Sequence, residues 1–222
     1  MLRKTFLVCG ILSSLLYVAI DSLAALRYGD YHSYTSQAIS ELGAIGAPTK
    51  PLVDPLFIAY SILIIAFGVG VWASAHRKRA LHLIGGLLIG IGAVGLATPP
   101  MYLRGTGNVS GDLPHIALTG VIVLFILSAV ALGASLYGRR WRLYSIATLV
   151  TLLASGAWTG FDATRLAALQ PTPWLGVAER INVGAYLLWV LVLAATLLRL
   201  KTPQTHANGA PNEAHSHRMA AA

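Results

Sequence analysis

Asp112-Leu113-Pro114-His115 places a carboxylate and an imidazole three positions apart, a spacing at which a helix turns both side chains the same way. Such a pair suits proton transfer, with the acid orienting the base, or supplies two corners of a metal site. The same residues also read as a plain helix start, with Asp112 as N-cap and Pro114 in a first turn where its missing N–H costs nothing. Glu41, within Ile39-Ser40-Glu41-Leu42-Gly43, joins Asp112 and His115 as the catalytic set that a carboxylate–histidine mechanism would use. Ser36, Ser40 and Glu41 equally fit a capping arrangement on a short surface turn. Asp21, His32, Ser40, Asp162, Glu179 and Arg180 stand around them as ligand-binding candidates. Two histidines and several carboxylates leave zinc or another divalent ion open, so the residues fix no cofactor. The sequence contains no Gly-x-Ser-x-Gly elbow, phosphate loop or His-Glu-x-x-His motif. Only His32 and His115 accompany the carboxylates, so a three-histidine hydrolase centre of the membrane ceramidase type is not available.

The elements that must position these groups are membrane helices. Of the 222 residues 56% are hydrophobic and 11% charged, whereas a soluble chain carries about a quarter charged residues. A bilayer core of roughly 30 Å needs about 20 helical residues. Six apolar runs qualify: Phe6–Ala25, Leu56–Ala75, Leu81–Thr98, His115–Tyr137, Leu143–Phe161 and Ile181–Leu200. The expected fold is therefore all-α, a single six-helix transmembrane domain over residues 1–201, followed by a disordered cytoplasmic tail over 202–222. In that tail His206, His215 and His217 invite a metal reading that their spacing does little to support. The first run also resembles a secretory signal ending at Ser22-Leu23-Ala24, but it is long enough to span, and Asp21 beside the cleavage point argues for retention.

The net charge of +8 would suggest a nucleic-acid partner in a soluble protein. Here the basic residues form short clusters between apolar runs, which is the pattern that orients membrane proteins, and no nucleic-acid motif accompanies them. With the N-terminus inside, Arg3, Lys4, Arg77, Lys78, Arg79, Arg139, Arg140, Arg142, Arg199, Lys201 and Arg218 are cytoplasmic. That is 11 of the 16 basic residues, while every acidic residue but Glu213 falls at or near the outer side. Both termini are thus expected inside, in the cytoplasmic membrane of a bacterium. The single cysteine, Cys9, lies in the first run and excludes a disulfide framework. Small residues mark expected helix seams at Gly86 and Gly90, Gly156 and Gly160, and Ala129 and Gly133.

Three outward segments then carry the unusual polar residues: Arg27–Pro55, Pro99–Pro114 and Asp162–Arg180. Ile39-Ser40-Glu41-Leu42-Gly43 with Ala47-Pro48, following the first helix, resembles the bacterial membrane family called domain of unknown function 998. Gly176 and Glu179-Arg180 opening the last helix, with Trp189 along it, fit the same family. The signature is more distantly similar to eukaryotic six-helix proteins of the autophagy-modulator and GPI-anchor-remodelling type. The resemblance implies six helices and a membrane location, and brings no reaction with it. Three functions stay open: an enzyme or lipid-binding protein with a lipid or small-molecule ligand at the outer face, a scaffold or sensor subunit, and a small transporter. The last is weakened because the inner halves of the helices offer mostly Ser and Thr, such as Ser13, Ser14, Ser61, Ser128, Ser145 and Thr148, and no repeat relates the two halves. Asp21, one turn below the end of its helix, requires a cation, and Arg180 is the first choice.

The basic asymmetry predicts that a reporter fused after Lys201 is active only in a form that works in the cytoplasm, and one inserted at Gly107 only in a form that works outside. Opposite activities at both positions would reverse the assignment.

Overall fold

A computed structural model describes residues 2–29, 33–104, 109–168 and 170–200. His32 and the tail at 202–222 lie outside the described residues. The elements are α1 (Leu2–Arg27), a short 3₁₀ turn (Ile39–Gly43), α2 (Lys50–Ala73), α3 (Arg79–Ala97), α4 (Val109–Gly133), α5 (Arg139–Ala167) and α6 (Leu175–Arg199). Six helices among the described residues are long and apolar enough to cross a membrane. The chain is a multi-pass integral membrane protein.

The helices run longer than the apolar runs that announce them, because backbone hydrogen bonding continues through polar turns at the membrane boundary. The difference that bears on the site is in α4, which starts at Val109, so Asp112 lies in its first turn instead of capping it. A carboxylate there still complements the positive end of the helix. α5 likewise continues through Asp162 and Arg165 to Ala167. α3 stops before Pro99-Pro100, neither of which can donate to a continuing helix.

Each helix packs on its neighbours in the chain, and α6 returns to α1, so the six close into a ring. The long connections after α1, α3 and α5 gather at one end, the loop end; the short turns 74–78 and 134–138 and the N-terminus lie at the other, the turn end. Trp189 of α6 is fully buried in the centre, with Leu7, Phe67, Ile84, Leu88, Ala129, Leu152 and Leu193 in the same core. Its indole N–H donates to Ser145 Oγ at 3.3 Å. Gly133 makes room for the ring: a Cβ there would lie 2.6 Å from Trp189 Cζ2.

The closest approach of one helix backbone to another joins α2 and α3. A Cβ on Gly68 would fall 2.8 Å from the Gly85 carbonyl oxygen, one on Gly85 2.8 Å from Trp72 N, and one on Gly92 2.6 Å from the Ser61 carbonyl oxygen. The seam of α3 is therefore Gly85 and Gly92, two turns apart on one face. Gly86 meets only the Trp72 ring, and Gly90 turns to Phe125 of α4. Gly156 meets Asn182, while Gly160 has nothing within 4 Å, so the expected seam through that pair is not formed.

Gly85→Ala should lower thermal stability in detergent by about 1–3 kcal/mol, because the atoms it meets are backbone and cannot turn aside. Gly160→Ala and Gly184→Ala, both in open space, should be neutral or stabilising by up to about 1 kcal/mol through helix propensity. Equal losses at all three positions would contradict this packing.

Candidate functional site

The connection between α1 and α2 folds over the loop end as a strap. Its 3₁₀ turn buries Ile39 and Leu42 against Ile20, Ala24 and Ala25 of α1 and Val53 of α2. Each such burial contributes roughly 1.5–3 kcal/mol. The turn expected around Ser40-Glu41 is thus present, and Glu41 closes it by accepting the Ala38 N–H at 3.1 Å.

The N-terminus of α6 docks under this strap. The amides of Gly176 and Val177, which have no partner within their own helix, donate to the Thr35 carbonyl at 2.8 and 3.2 Å. Only glycine fits at 176: a Cβ would stand 2.3 Å from the Gln37 oxygen and 2.4 Å from that of Tyr34. One turn on, Arg180 gathers three elements. Its Nε and Nη2 donate to the two Asp21 oxygens at 3.0 and 2.8 Å, a two-point contact with α1. Its Nη1 donates to the Tyr34 and Gln37 carbonyls at 2.8 and 2.9 Å, and the guanidinium lies 4.5 Å from the Tyr34 ring centre. Asp21 therefore has the cation that its depth requires.

Glu179 accepts the Ile39 N–H at 2.6 Å and also bonds the Ser40 amide, so α6 holds the start of the 3₁₀ turn with a side chain. Glu41, 2% exposed, accepts from Arg104 Nη2 at 2.5 Å. The same guanidinium donates to the Ser36 carbonyl at 3.1 Å and to Thr172 Oγ1 at 3.2 Å. Arg104 thus ties together all three connections. Asp21, Ser40, Glu41, Glu179 and Arg180 meet in one network through it and through the strap backbone.

Asp112 and His115 belong to a different part of this end. Asp112 accepts the Tyr102 N–H at 2.7 Å, and His115 Nδ1 bonds the Pro99 carbonyl at 2.8 Å. Both secure the connection after α3, whose Tyr102 in turn pairs with Ile45 of the strap. The link is backbone: Ile45 N donates to Met101 O at 2.7 Å and Leu103 N to Ile45 O at 3.3 Å. Glu41 and His115 share no hydrogen bond, although both reach the connection after α3, Glu41 at Arg104 and His115 at Pro99.

Asp162 stands apart. It is 2% exposed in α5, and its Oδ2 has no hydrogen-bond partner among the described residues. The other described carboxylates all have partners: Asp21 with Arg180, Glu41 with Arg104, Asp54 with Lys50, and Asp112 and Glu179 with backbone amides. At the same end the Nε of Arg104 is also buried and without a partner. Among the described residues no three His, Cys, Asp or Glu side chains gather closely enough to hold a metal ion.

The family model for proteins of unknown function designated DUF998 matches residues 11–196, from α1 through α6. The chain belongs to the DUF998 family. The match takes in the strap, Arg104, Asp162 and Glu179-Arg180, so all of this DUF998 network lies within the family region. Comparison with curated proteins and with solved structures gives no match.

In this DUF998 chain sequence reasoning passed over Arg104 and Thr172, which no motif or helical period marks, and whose partners are set by how the connections cross. A double-mutant cycle tests the clamp. Asp21→Asn and Arg180→Gln should each lower stability in detergent by about 2–5 kcal/mol, since either leaves a mostly buried charge alone. Arg180→Gln should cost more, because it also gives up the Tyr34 and Gln37 carbonyls. The double variant should lose little beyond Arg180→Gln; strictly additive losses would reject the coupling.

Proposed function

We propose that this protein binds a lipid headgroup or a lipid-linked ligand at its loop end, that this end faces outward, and that Asp162 is the anchoring group. The observation that carries the reading is the carboxylate oxygen of Asp162, buried at 2% exposure with no partner among the described residues. Burying a carboxylate oxygen without a donor costs free energy. A chain with only 11% charged residues that keeps one at such a cost has a use for it. A carboxylate oxygen left without a donor suits an ammonium or hydroxyl-bearing headgroup. Arg104 Nε, the unpartnered donor at this end, adds affinity for an acceptor such as a phosphate oxygen. Glu41, Asp112 and His115 already hold contacts within the connections and in this reading position the surface; Asp21, Glu179 and Arg180 fix the strap and α6 beside it.

A second reading, a non-catalytic scaffold, is favoured by the number of these residues committed to joining the connections. The outward orientation rests on the 11-of-16 basic count, with both termini in the cytoplasm.

Asp162→Leu separates the two readings. In protein delipidated in detergent, replacing this buried polar group should stabilise by about 1–3 kcal/mol, while mass spectrometry of the gently purified variant should show the co-purifying lipid or lipid-linked species lost relative to the parent. Destabilisation of the delipidated protein, with the same species retained, would make Asp162 a structural group and leave the scaffold reading.

A further inference from the structure

The turn end of the bundle carries a charge that nothing in the described chain balances. Arg77, Lys78, Arg79, Arg139, Arg140 and Arg142 are all exposed there. The described acidic residues, Asp21, Glu41, Asp54, Asp112, Asp162 and Glu179, all belong to the opposite, loop end. The two basic turns are not separate. Lys78 Nζ lies 4.8 Å from the centre of the Tyr137 ring, so the turn before α3 touches the turn before α5.

The local helix electrostatics add to the imbalance. α3 begins at Arg79 and α5 at Arg139, each with no side-chain cap on its N-terminal amides and no acid in its first turn. A helix N-terminus carries partial positive charge and favours acidic neighbours. Here it receives arginines instead, four of them across two adjoining helix starts: Arg79, Arg139, Arg140 and Arg142. Orientation in the membrane requires basic residues at such a place, but not that they sit on two touching, uncapped helix starts.

The depth of the patch identifies its partner. Directly beside it Trp72, Leu83, Leu143 and Ile146 turn large apolar surfaces outward, 45–56% exposed in the isolated bundle, and these surfaces belong in hydrocarbon. Tyr137, Trp141 and Tyr144 form a contiguous aromatic group at the same level, where such rings mark the membrane–water boundary. The cations therefore stand at headgroup height. We infer that the joined turns 76–79 and 137–142 form a binding surface for anionic phospholipid, its phosphate held by Lys78, Arg79, Arg139 and Arg140 above the α3 and α5 amides.

The test uses the full chain in detergent, where direction of insertion plays no part. It is incubated with an equimolar mixture of phosphatidylglycerol and phosphatidylcholine and examined by native mass spectrometry. The parent should retain phosphatidylglycerol over phosphatidylcholine by at least about tenfold, given the contribution expected of each basic residue near a lipid surface. The combined variant Lys78→Gln, Arg79→Gln, Arg139→Gln, Arg140→Gln should lose that preference. Arg79→Lys with Arg139→Lys and Arg140→Lys should keep it, which also shows that the region folds when substituted. Arg27→Gln with Lys50→Gln, at the loop end, should leave it unchanged. The inference is overturned if the parent shows no preference, if the glutamine variant keeps it, or if inorganic pyrophosphate displaces the lipid, which would make the surface a site for soluble anions.

Discussion

Arg180 holds the loop end together because its planar guanidinium has two usable edges and a face. One edge takes both oxygens of Asp21 on α1, the other takes two strap carbonyls, and the face lies against Tyr34. A lysine could supply the charge but not these directions. The clamp also answers a difficulty special to this chain. The strap is an irregular segment at the membrane boundary, and its carbonyls need donors that lipid cannot give. Arg180 and the free amides of Gly176 and Val177 provide them, which is why residue 176 has no side chain to interpose. The remaining contacts follow once α6 is fixed under the strap: Glu179 reaches the start of the 3₁₀ turn, and the turn presents Glu41 to Arg104.

The parts of this architecture that could be read in the sequence are those set by solvent and charge. Six spans follow from apolar runs matched to bilayer thickness, and the partnership of Asp21 with Arg180 follows from the cost of an unmatched charge near hydrocarbon. The short turn at Ser40-Glu41 follows from its alternation of apolar and polar residues. What was not legible depends on backbone groups. Asp112 and His115 have the spacing of a pair, yet each bonds a main-chain atom of the connection after α3, and main-chain acceptors leave no trace in residue type. Arg104 was hidden for a related reason. It reaches Glu41 because Ile45 and Tyr102 pair through their backbones, a register no side-chain pattern records. Among the glycines of α3 the choice of Gly85 and Gly92 over Gly86 and Gly90 depends on a rotation of one residue, which composition does not fix.

The two ends of the bundle handle charge by opposite means. At the loop end carboxylates and cations are interleaved, and every described carboxylate but Asp162 is matched with a cation or with backbone amides. At the turn end cations gather without acids, and helix starts that ordinarily attract anions are left to them. A matched network is inward-looking and rigid, suited to holding a shape. An unmatched one looks outward and is screened by whatever anions the surroundings offer.

Against the matched network, Asp162 gains its meaning. Were the loop end only a frame for the connections, its charges would be expected to close on one another, as those of Asp21, Glu41 and Glu179 do. A helix of 29 residues could have carried Ala or Leu at position 162 and packed more cheaply. Instead it buries an acceptor there, while Arg104 on the neighbouring connection buries a donor with no partner. On the proposed reading these two atoms of opposite sense, at an end where the other described carboxylates are spent, are what a ligand would bind. That is the physical content of assigning the site to Asp162 in preference to Asp112 and His115, whose chemistry looked richer in the sequence and whose bonds are already made.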